Sequence, residues 1–357
     1  MAVQTGQLAN LLDAVREAAM DWSRTANPVA GAHDRYTRRF GLPLADSILP
    51  KHLPADKFVL LDGGAREAEV DGRWSRLDPE RLVIHGFEPD EPECIRLNGL
   101  AAAAGLARHY YPVGLWSIDG VLPFQENHAG GGSSFMDQNQ LVTERWKFEN
   151  PTQISLAREI FRPRRTYDVK VATVATWARE HGVSQIDFIK LNVQGGELEI
   201  LRTTGPVLDS VLGLLVEVSF CESYVARPFF SDVDPFLREK GFTFFDLLAH
   251  HYIGREQSPI AQQHLKSVRP KLGQLVSAWG QLIEGHALYL RDPLGPGTRQ
   301  PPNQAAARRA LKLACVAEIY GQIEYAFELV NWAGRGSAGI ATDGLAQRAA
   351  DLYRQHY

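Results

Sequence analysis

The segment 185–201, with the sequence QIDFIKLNVQGGELEIL, constrains the fold more than any other part of the chain. Its apolar residues form an almost unbroken run, as in a central parallel strand that is covered on both faces: Ile186, Phe188, Ile189, Leu191 and Val193. The polar side chains at the end of this run are Asn192, Gln194 and Glu197. Open α/β sheets bind ligands outside the carboxyl ends of their strands, where Gly195 and Gly196 would let backbone approach a ligand. The segment therefore predicts an α/β enzyme with a ligand site at this strand end.

The composition predicts a globular protein, because 45% of the residues are hydrophobic and 22% are charged. The formal net charge of -4 supplies no general basic field, so nucleic acid is a poor first hypothesis for a partner. One local exception is a run of arginines that could contact an anionic substrate, although a solvated segment is its commoner meaning: Arg158, Arg162, Arg164 and Arg165.

The cysteine pattern and the absence of targeting signals indicate a cytoplasmic protein. The three cysteines lie far apart and lack the spacing of a metal or redox motif, which favours a reducing compartment. The N-terminus lacks the pattern of a signal peptide, and no apolar run approaches the ~18 residues that a membrane span requires. We therefore expect neither secretion nor a membrane span.

The sequence predicts four parts along the chain. A helical extension is expected over 1–52, and a main α/β domain over 53–292, where short apolar runs alternate with helical stretches. The composition of 293–302 is that of a linker, and 303–357 is expected to form a helical tail. The apolar stripe of the tail would pack on the main domain or on a second subunit, and its members recur at four-residue intervals: Leu311, Cys315, Ile319, Ile323 and Phe327.

Between Trp116 and Phe161 the alternating pattern gives way to glycine, serine and polar residues. This region includes HAGGGSSFM at 128–136. Long irregular loops in compact domains are usually functional, so it predicts an active-site loop, with an ordinary exposed connection as the alternative.

Two further strands predict a nucleoside site. The first delivers Asp62 to a turn made of Gly63, Gly64 and Ala65, a pattern that also fits an ordinary tight turn. The next strand ends in Glu88, roughly twenty residues beyond these glycines, where a carboxylate can accept hydrogen bonds from both hydroxyls of a ribose. The pair of strands therefore favours a bound nucleoside.

The glycine pattern bears on which nucleoside cofactor binds. A dinucleotide needs its pyrophosphate held by G-x-G-x-x-G at a helix N-terminus, and here Ala68 occupies the downstream glycine position. S-adenosylmethionine carries no phosphate, so it fits the turn better. An NAD-dependent oxidoreductase remains as an alternative with less support.

Four segments, taken in order, resemble the FkbM-type methyltransferases, a family of S-adenosylmethionine-dependent enzymes with the class I methyltransferase fold. VLLDGGA is similar to the first cofactor motif, HGFEPDEPECIRLN to the acidic second motif, and GGGSSF to the glycine-serine loop. IDFIKLNVQGGELEIL resembles the family hallmark, in which the strand ends as Asp-x-Glu-Gly-x-Glu. The resemblance implies a Rossmann-like, mostly parallel seven-stranded sheet with helices on both faces, to which this chain adds helical extensions at both ends.

The resemblance also implies a cofactor, an acceptor and a set of site residues. The cofactor is S-adenosylmethionine, and the acceptor is a hydroxyl of a sugar, a glycolipid or glycan precursor, or a small natural product. The implied cofactor-binding residues are Asp62, Gly63, Gly64, Ala65, Glu88, Pro89, Ser133, Ser134, Asn192 and Gln194. The helical extensions suggest a possible homo-oligomer.

A hydroxyl acceptor must lose its proton, and a positioned base contributes about 10²–10⁴-fold to the rate. The candidate catalytic residues are Glu197, Glu217, Asn192 and His128. Glu217 lies inside an apolar strand, so it is either hydrogen-bonded structure or functional. Glu197 could instead serve the helix dipole, and a lone loop histidine such as His128 is more often exposed to solvent.

Two departures from the hallmark bear on metal binding and on catalysis. Asn192 and Gln194 stand where the family commonly has Asp and Glu, so two potential negative charges are missing. The adjacent histidines His250 and His251 would point to opposite faces of an extended segment, so they are unlikely to bind one metal ion together. We therefore predict no metal site. The same departures motivate an alternative function, a non-catalytic methyltransferase-like protein that serves binding or assembly.

Overall fold

The computed structural model describes residues 42–66, 72–127, 130–146, 163–253, 281–294 and 300–335. In chain order the strands are β1 (Phe58–Gly63), β2 (Leu82–Phe87), β3 (Arg108–Tyr111), β4 (Gly114–Leu115), β5 (Gly120–Asn127), β6 (Pro163–Ala172), β7 (Phe188–Leu191), β8 (Gly213–Ser219), β9 (Phe242–Ile253) and β10 (Gln281–Arg291). The helices are α1 (Pro43–His52), α2 (Glu91–Ala103), α3 (Gln140–Thr143), α4 (Val174–Glu180), α5 (Glu197–Arg202), α6 (Phe230–Glu239), α7 (Gln304–Ile319) and α8 (Ile323–Gly334).

The main sheet has seven strands in the order β3-β2-β1-β7-β8-β10-β9. The first five strands in this order are parallel, whereas β10 runs antiparallel to both of its neighbours. The connections reverse direction at β1, so a crevice opens between the carboxyl ends of β1 and β7. The predicted fold class is confirmed: the protein is α/β, with a mostly parallel seven-stranded sheet of the class I methyltransferase type.

Side chains alternate along the strands, and helices bury an apolar layer on each face of the sheet. One layer joins alternate residues of β1, β7 and β10 to α1, α7 and α8. The other layer joins the intervening residues to α4, α5 and α6. On the first face the apolar residues give way to polar ones toward the crevice, as where Phe188 is followed by Lys190 and then Asn192.

Helix α7 is tied to the rest of the protein by buried charged groups. The carboxylate of Glu318 accepts hydrogen bonds from the backbone N–H groups of Leu44 and Ala45, both at 2.8 Å, at the start of α1. Lys312 Nζ lies 2.8 Å from the carboxylate of Asp187, which is fully buried just before β7. The apolar stripe of the tail is divided between α7 and α8, with Gly321 at φ +74° in the turn between them. The boundaries of the predicted extensions remain predictions, and residues 1–41 of the N-terminal extension lie outside the described residues.

A second sheet has three strands, in the order β4-β6-β5, and its strand β5 lies within the region that the sequence analysis assigned to a loop. That expectation was wrong for Gly120–Asn127, which forms β5 and pairs antiparallel with β6. Most of β5 is exposed or half-buried, and Phe124 is its first buried side chain, so its sequence lacks the apolar run of a core strand. Among the helices that the structure describes, none is both long enough and apolar enough to cross a bilayer.

Candidate active site

The glycine turn after β1 lies between the ends of β2 and β7. Gly64 and Ala65 donate backbone hydrogen bonds to Phe87 O at 3.2 and 3.0 Å, and Asn192 N donates to Gly63 O at 3.0 Å. Gly64 has φ +81°, and a Cβ atom at this position would lie 2.0 Å from Asn192 O. The turn therefore requires glycine for two reasons, its left-handed backbone and the close approach of β7.

Asp62 is buried at the end of β1, where it supports the turn. Its Oδ1 atom lies 2.8 Å from Lys190 Nζ, and the same ammonium group donates to Gly64 O at 3.0 Å. Lys190 thus connects β7 to both the carboxylate and the backbone of the turn, a role that the sequence analysis missed.

Glu88 lies at the tip of β2 and is only 3% exposed. Its Oε1 atom accepts a hydrogen bond from Asp90 N at 2.9 Å, whereas Oε2 makes no hydrogen bond within the described part of the chain. Burial raises the pKa of this carboxyl group to about 7, and the hydrogen bond from Asp90 opposes the rise. Pro89, the next residue, is half-buried before α2. Glu88 therefore combines a costly buried carboxylate with one oxygen that can still accept hydrogen bonds.

The glycine-serine loop covers the turn that follows β7. Ser134 Oγ donates to Gln194 O at 2.8 Å, while Ser133 Oγ accepts from Asn127 N at 3.0 Å. Both residues are buried, and both hydroxyls form hydrogen bonds with backbone groups of the protein. The structure places the loop beside the site but directs these two side chains into protein contacts.

Gly195 and Gly196 pack against protein, which differs from the expectation that a ligand would approach them. A Cβ atom at Gly195 would lie 2.7 Å from Met136 Sδ, and one at Gly196 would lie 2.2 Å from the ring of Trp116. These two glycines are needed because Met136 and Trp116 lie directly against the turn. Periodicity along one strand could not show this contact, because both partners belong to the region before β6.

Glu197 stabilises the turn at Gly195 and Gly196 through hydrogen bonds to its backbone. Its Oε1 atom accepts from Val193 N at 2.8 Å and its Oε2 atom accepts from Gly195 N at 3.0 Å. Burial raises the pKa of Glu197, and the charge of Arg227 opposes the rise. Because both carboxylate oxygens are engaged with backbone, Glu197 is placed to shape the turn.

Glu217 forms a buried ion pair with Arg227, a residue that the sequence analysis missed. Arg227 Nη2 lies 2.9 Å from Glu217 Oε1, and each side chain is 1% exposed. Arg227 Nη1 also lies 3.6 Å from Glu284 Oε2. Burial raises the pKa of Glu217 well above its usual range, Glu284 and Glu197 raise it further, and Arg227 opposes the rise. A loop arginine in the sequence SYVARPFF gives no sign of such a partner.

The two amides of the hallmark form a directed hydrogen-bond chain. Gln194 Nε2 donates to Asn192 Oδ1 and to Glu217 Oε2, both at 2.8 Å, and Gln194 itself has a left-handed backbone with φ +61°. Tyr224 OH lies 3.1 Å from Gln194 Oε1. At the other end, Asn192 Nδ2 lies 3.3 Å from His286 Nε2 on β10. The structure thus brings Asn192, Gln194 and Glu217 together and adds Tyr224 and His286, which the sequence analysis had not selected.

The remaining candidates are His128 and the run of arginines. His128 lies outside the described residues, as do Arg158, Arg162 and Ala68. Arg165 lies 2.6 Å from Glu126, so its guanidinium forms an ion pair beside β5. Within the residues that the structure describes, no group of three or more His, Cys, Asp or Glu side chains is arranged to hold a metal ion.

Comparison with solved structures finds methyltransferases at low sequence identity. A Streptococcus pneumoniae protein described as a tRNA (m1A22) methyltransferase is 13% identical, with 85% of this chain and 94% of that chain covered and a TM-score of 0.30. Precorrin-6y C5,15-methyltransferase from Geobacter metallireducens is 10% identical, with 70% and 88% covered and a TM-score of 0.28. The O-methyltransferase from the trans-AT PKS multienzyme of Brevibacillus brevis, in complex with S-adenosyl-L-homocysteine, is 10% identical, with 87% and 89% covered and a TM-score of 0.29.

Comparison with family models connects the site to one family. No curated protein matches the chain. The model of the methyltransferase FkbM domain matches residues 62–244, which are just over half of the chain and include both glycine turns, Glu88 and the amide chain. The protein therefore belongs to the FkbM methyltransferase family.

Proposed function

We propose that the protein is an S-adenosylmethionine-dependent O-methyltransferase whose acceptor is a hydroxyl of a sugar, of a glycan or glycolipid precursor, or of a small natural product. The observation that carries this proposal is Glu88, a buried carboxylate with an available oxygen beside a glycine turn, in a chain of the FkbM family. A ribose supplies two hydroxyl donors, which would compensate for the burial of this charge.

The residues around the crevice fit an adenosyl cofactor. The turn at Gly63, Gly64 and Ala65 presents backbone without bulky side chains, and Glu88 lies across from it at the tip of the neighbouring strand. When bound, S-adenosylmethionine supplies a methyl group on a sulfonium cation. Lys190 compensates the charge of Asp62, so Glu88 in its ionised form supplies the negative charge at this end of the sheet, which favours a cation.

An acceptor hydroxyl has polar partners at the end of β7. The side chains of Asn192 and His286 lie 3.3 Å apart there, and both can form hydrogen bonds with a hydroxyl group. The protein must mainly align the acceptor oxygen with the methyl carbon and exclude water. The chemical class of the acceptor follows from analogy with the family and forms part of the proposal.

Calorimetry with S-adenosylmethionine, its demethylated product S-adenosylhomocysteine and NAD tests the cofactor. We expect the first two compounds to bind and NAD to bind at least about tenfold more weakly. Glu88→Ala should lose most of the affinity in a folded protein, while Glu91→Gln, an exposed change in the first turn of α2, should leave the affinity unaltered. An unchanged affinity in folded Glu88→Ala would refute the assignment of Glu88.

The amides at Asn192 and Gln194 favour one alternative, a non-catalytic protein that keeps the fold for binding or assembly. Radiolabelled S-adenosylmethionine incubated with the protein and a cell extract, followed by mass analysis, separates the two functions. Label in a product would exclude the alternative and identify the acceptor. Failure to bind either adenosyl compound would support the alternative.

A further inference from the structure

The two carboxylates nearest the amide chain already have both of their oxygens engaged. Glu197 accepts two backbone N–H groups, and Glu217 accepts from Arg227 through Oε1 and from Gln194 through Oε2. Each oxygen keeps a further lone pair, but Glu197 and Glu217 are only 3% and 2% exposed, so an acceptor in the crevice has little access to either carboxylate. Neither side chain is therefore placed to act as the base.

His286 lies on the same face of the sheet as this network. In the antiparallel register of β10 and β8 it stands opposite Glu217, and residues paired in this way project to the same face. Its side chain reaches past β8 to the end of β7, where its Nε2 atom meets Asn192. It is half-buried, so part of the side chain remains accessible to solvent.

The direction of the hydrogen bonds determines which ring nitrogen carries the proton. The guanidinium of Arg227 can only donate, so Glu217 Oε1 accepts from it, and Glu217 Oε2 accepts from the Gln194 amide. The Gln194 Nε2 group then donates to Asn192 Oδ1, which leaves Asn192 Nδ2 facing His286. An amide nitrogen can only donate, so Nε2 of the ring is the acceptor and the proton of the neutral ring resides on Nδ1.

We propose that His286 is the general base of the methyl transfer and that Asn192 holds its ring neutral, with the Nε2 lone pair directed toward the crevice. This inference rests on the proposed function. An acceptor hydroxyl that enters between the two nitrogens accepts a hydrogen bond from Asn192 Nδ2 and donates its own to His286 Nε2. The long 3.3 Å contact between these nitrogens is weak enough to be replaced in this way.

The reaction balances with no other reactant. The acceptor oxygen forms a bond to the methyl carbon as the bond from carbon to sulfur breaks and leaves its electron pair on sulfur. The hydroxyl proton passes to His286 Nε2, and the ring becomes an imidazolium. The products are the methyl ether, the neutral thioether and a protonated base that returns its proton to solvent.

This assignment explains why an amide at position 192 suits the reaction. An aspartate there, as in the common family hallmark, would place a carboxylate beside Nε2 and stabilise the charged ring, which cannot accept a proton. Among the described residues, the charged groups beside the ring include Glu217, which is paired with His286 across the sheet, and Glu284 on β10 itself, and Arg227 forms ion pairs with both carboxylates. These groups are the same in the variant, so exchanging Asn192 for aspartate isolates the effect of one charge.

Nitrogen-15 NMR of the full-length protein with labelled histidine, saturated with S-adenosylhomocysteine, reads the state of the ring without turnover. His286→Gln assigns the resonance. We expect the wild-type ring to be neutral near pH 7.5 with its proton on Nδ1, and the titration midpoint in Asn192→Asp to lie about one pH unit or more higher. A neutral ring with its proton on Nε2, or an unmoved midpoint in Asn192→Asp, would overturn the proposal.

Transfer of radiolabel from S-adenosylmethionine into a cell extract gives the second test. We expect His286→Gln and His286→Ala to bind S-adenosylhomocysteine like the wild type and to transfer label about 10²–10⁴-fold more slowly. His109→Gln, an exposed change on β3, should transfer at the wild-type rate. An active wild type with an equally active His286→Gln variant would overturn the base assignment alone. A wild type that binds the cofactor but labels nothing would overturn the proposed function as well.

Discussion

The raised pKa of Glu88 predicts that cofactor affinity depends on pH. The carboxyl group is 3% exposed and has a pKa of about 7 in the free protein, so near pH 6 it is mostly protonated. A ribose donates hydrogen bonds to the ionised form, so binding below pH 7 must first remove this proton. The affinity should therefore be nearly constant above pH 8, fall about tenfold between pH 8 and pH 6, and fall about tenfold for each further pH unit.

The magnitude follows from the titration alone. At pH 6 about nine in ten free molecules carry the proton, so binding should release close to one proton and weaken by about 1.4 kcal/mol relative to pH 8. Calorimetric titration with S-adenosylhomocysteine between pH 5.5 and 8.5, in buffers with different ionisation enthalpies, measures both quantities. Glu88→Gln is the matched control, because it keeps the shape of the side chain and removes the titration.

Two results would refute this reasoning. An affinity in the wild type that stays flat from pH 8 to pH 6 would show that the ligand does not select the ionised carboxylate. A pH dependence that persists unchanged in Glu88→Gln would assign the proton to another group, and Glu88 would lose its role in binding.

Two further predictions concern stability. Lys312→Met leaves Asp187 as a buried charge without its cation, so it should lower the free energy of unfolding by about 3 kcal/mol. Urea denaturation measures this loss, and the exposed change Lys240→Met is the control. A loss under about 1 kcal/mol would contradict the role of α7 in the core. Arg227→Met removes the guanidinium that pairs with Glu217. Because burial holds the pKa of the Glu217 carboxyl group above its value in the unfolded chain, the folded variant binds a proton at this group as the pH falls, which relieves the buried charge. The loss of stability should therefore be larger at pH 8 than at pH 5, and an equal loss at both values would show that Glu217 is not the titrating group.

Local patterns in the sequence predicted the elements that define the fold. The apolar run at the start of segment 185–201 predicted the buried strand β7, and the spacing from the Gly63 turn to Glu88 predicted two carboxyl ends at one crevice. Both inferences use only the period of side chains along one strand and the behaviour of parallel sheets. This is why the architecture and the general location of the site follow from the sequence.

The partners of the site residues depend on contacts between distant segments. His286 on β10 contacts Asn192 across β8, and Arg227 contacts Glu217 from the loop that follows β8. The spacing of residues along the chain predicts neither contact. Gly195 provides a third case, since a methionine side chain from another loop occupies the space of a Cβ atom there, in addition to the positive φ of 116° that favours glycine. The sequence therefore predicted that polar side chains lie at the ends of the strands, but it did not predict which of them form hydrogen bonds or ion pairs with one another.

The most direct test of the account is a crystal structure of the protein with S-adenosylhomocysteine bound. We expect the adenosyl group to lie over the glycine turn after β1, with the ribose hydroxyls about 2.5–3.0 Å from the carboxylate oxygens of Glu88. A ligand bound elsewhere, or a ribose beyond hydrogen-bonding distance of Glu88, would contradict the proposed role of this carboxylate and the function built upon it.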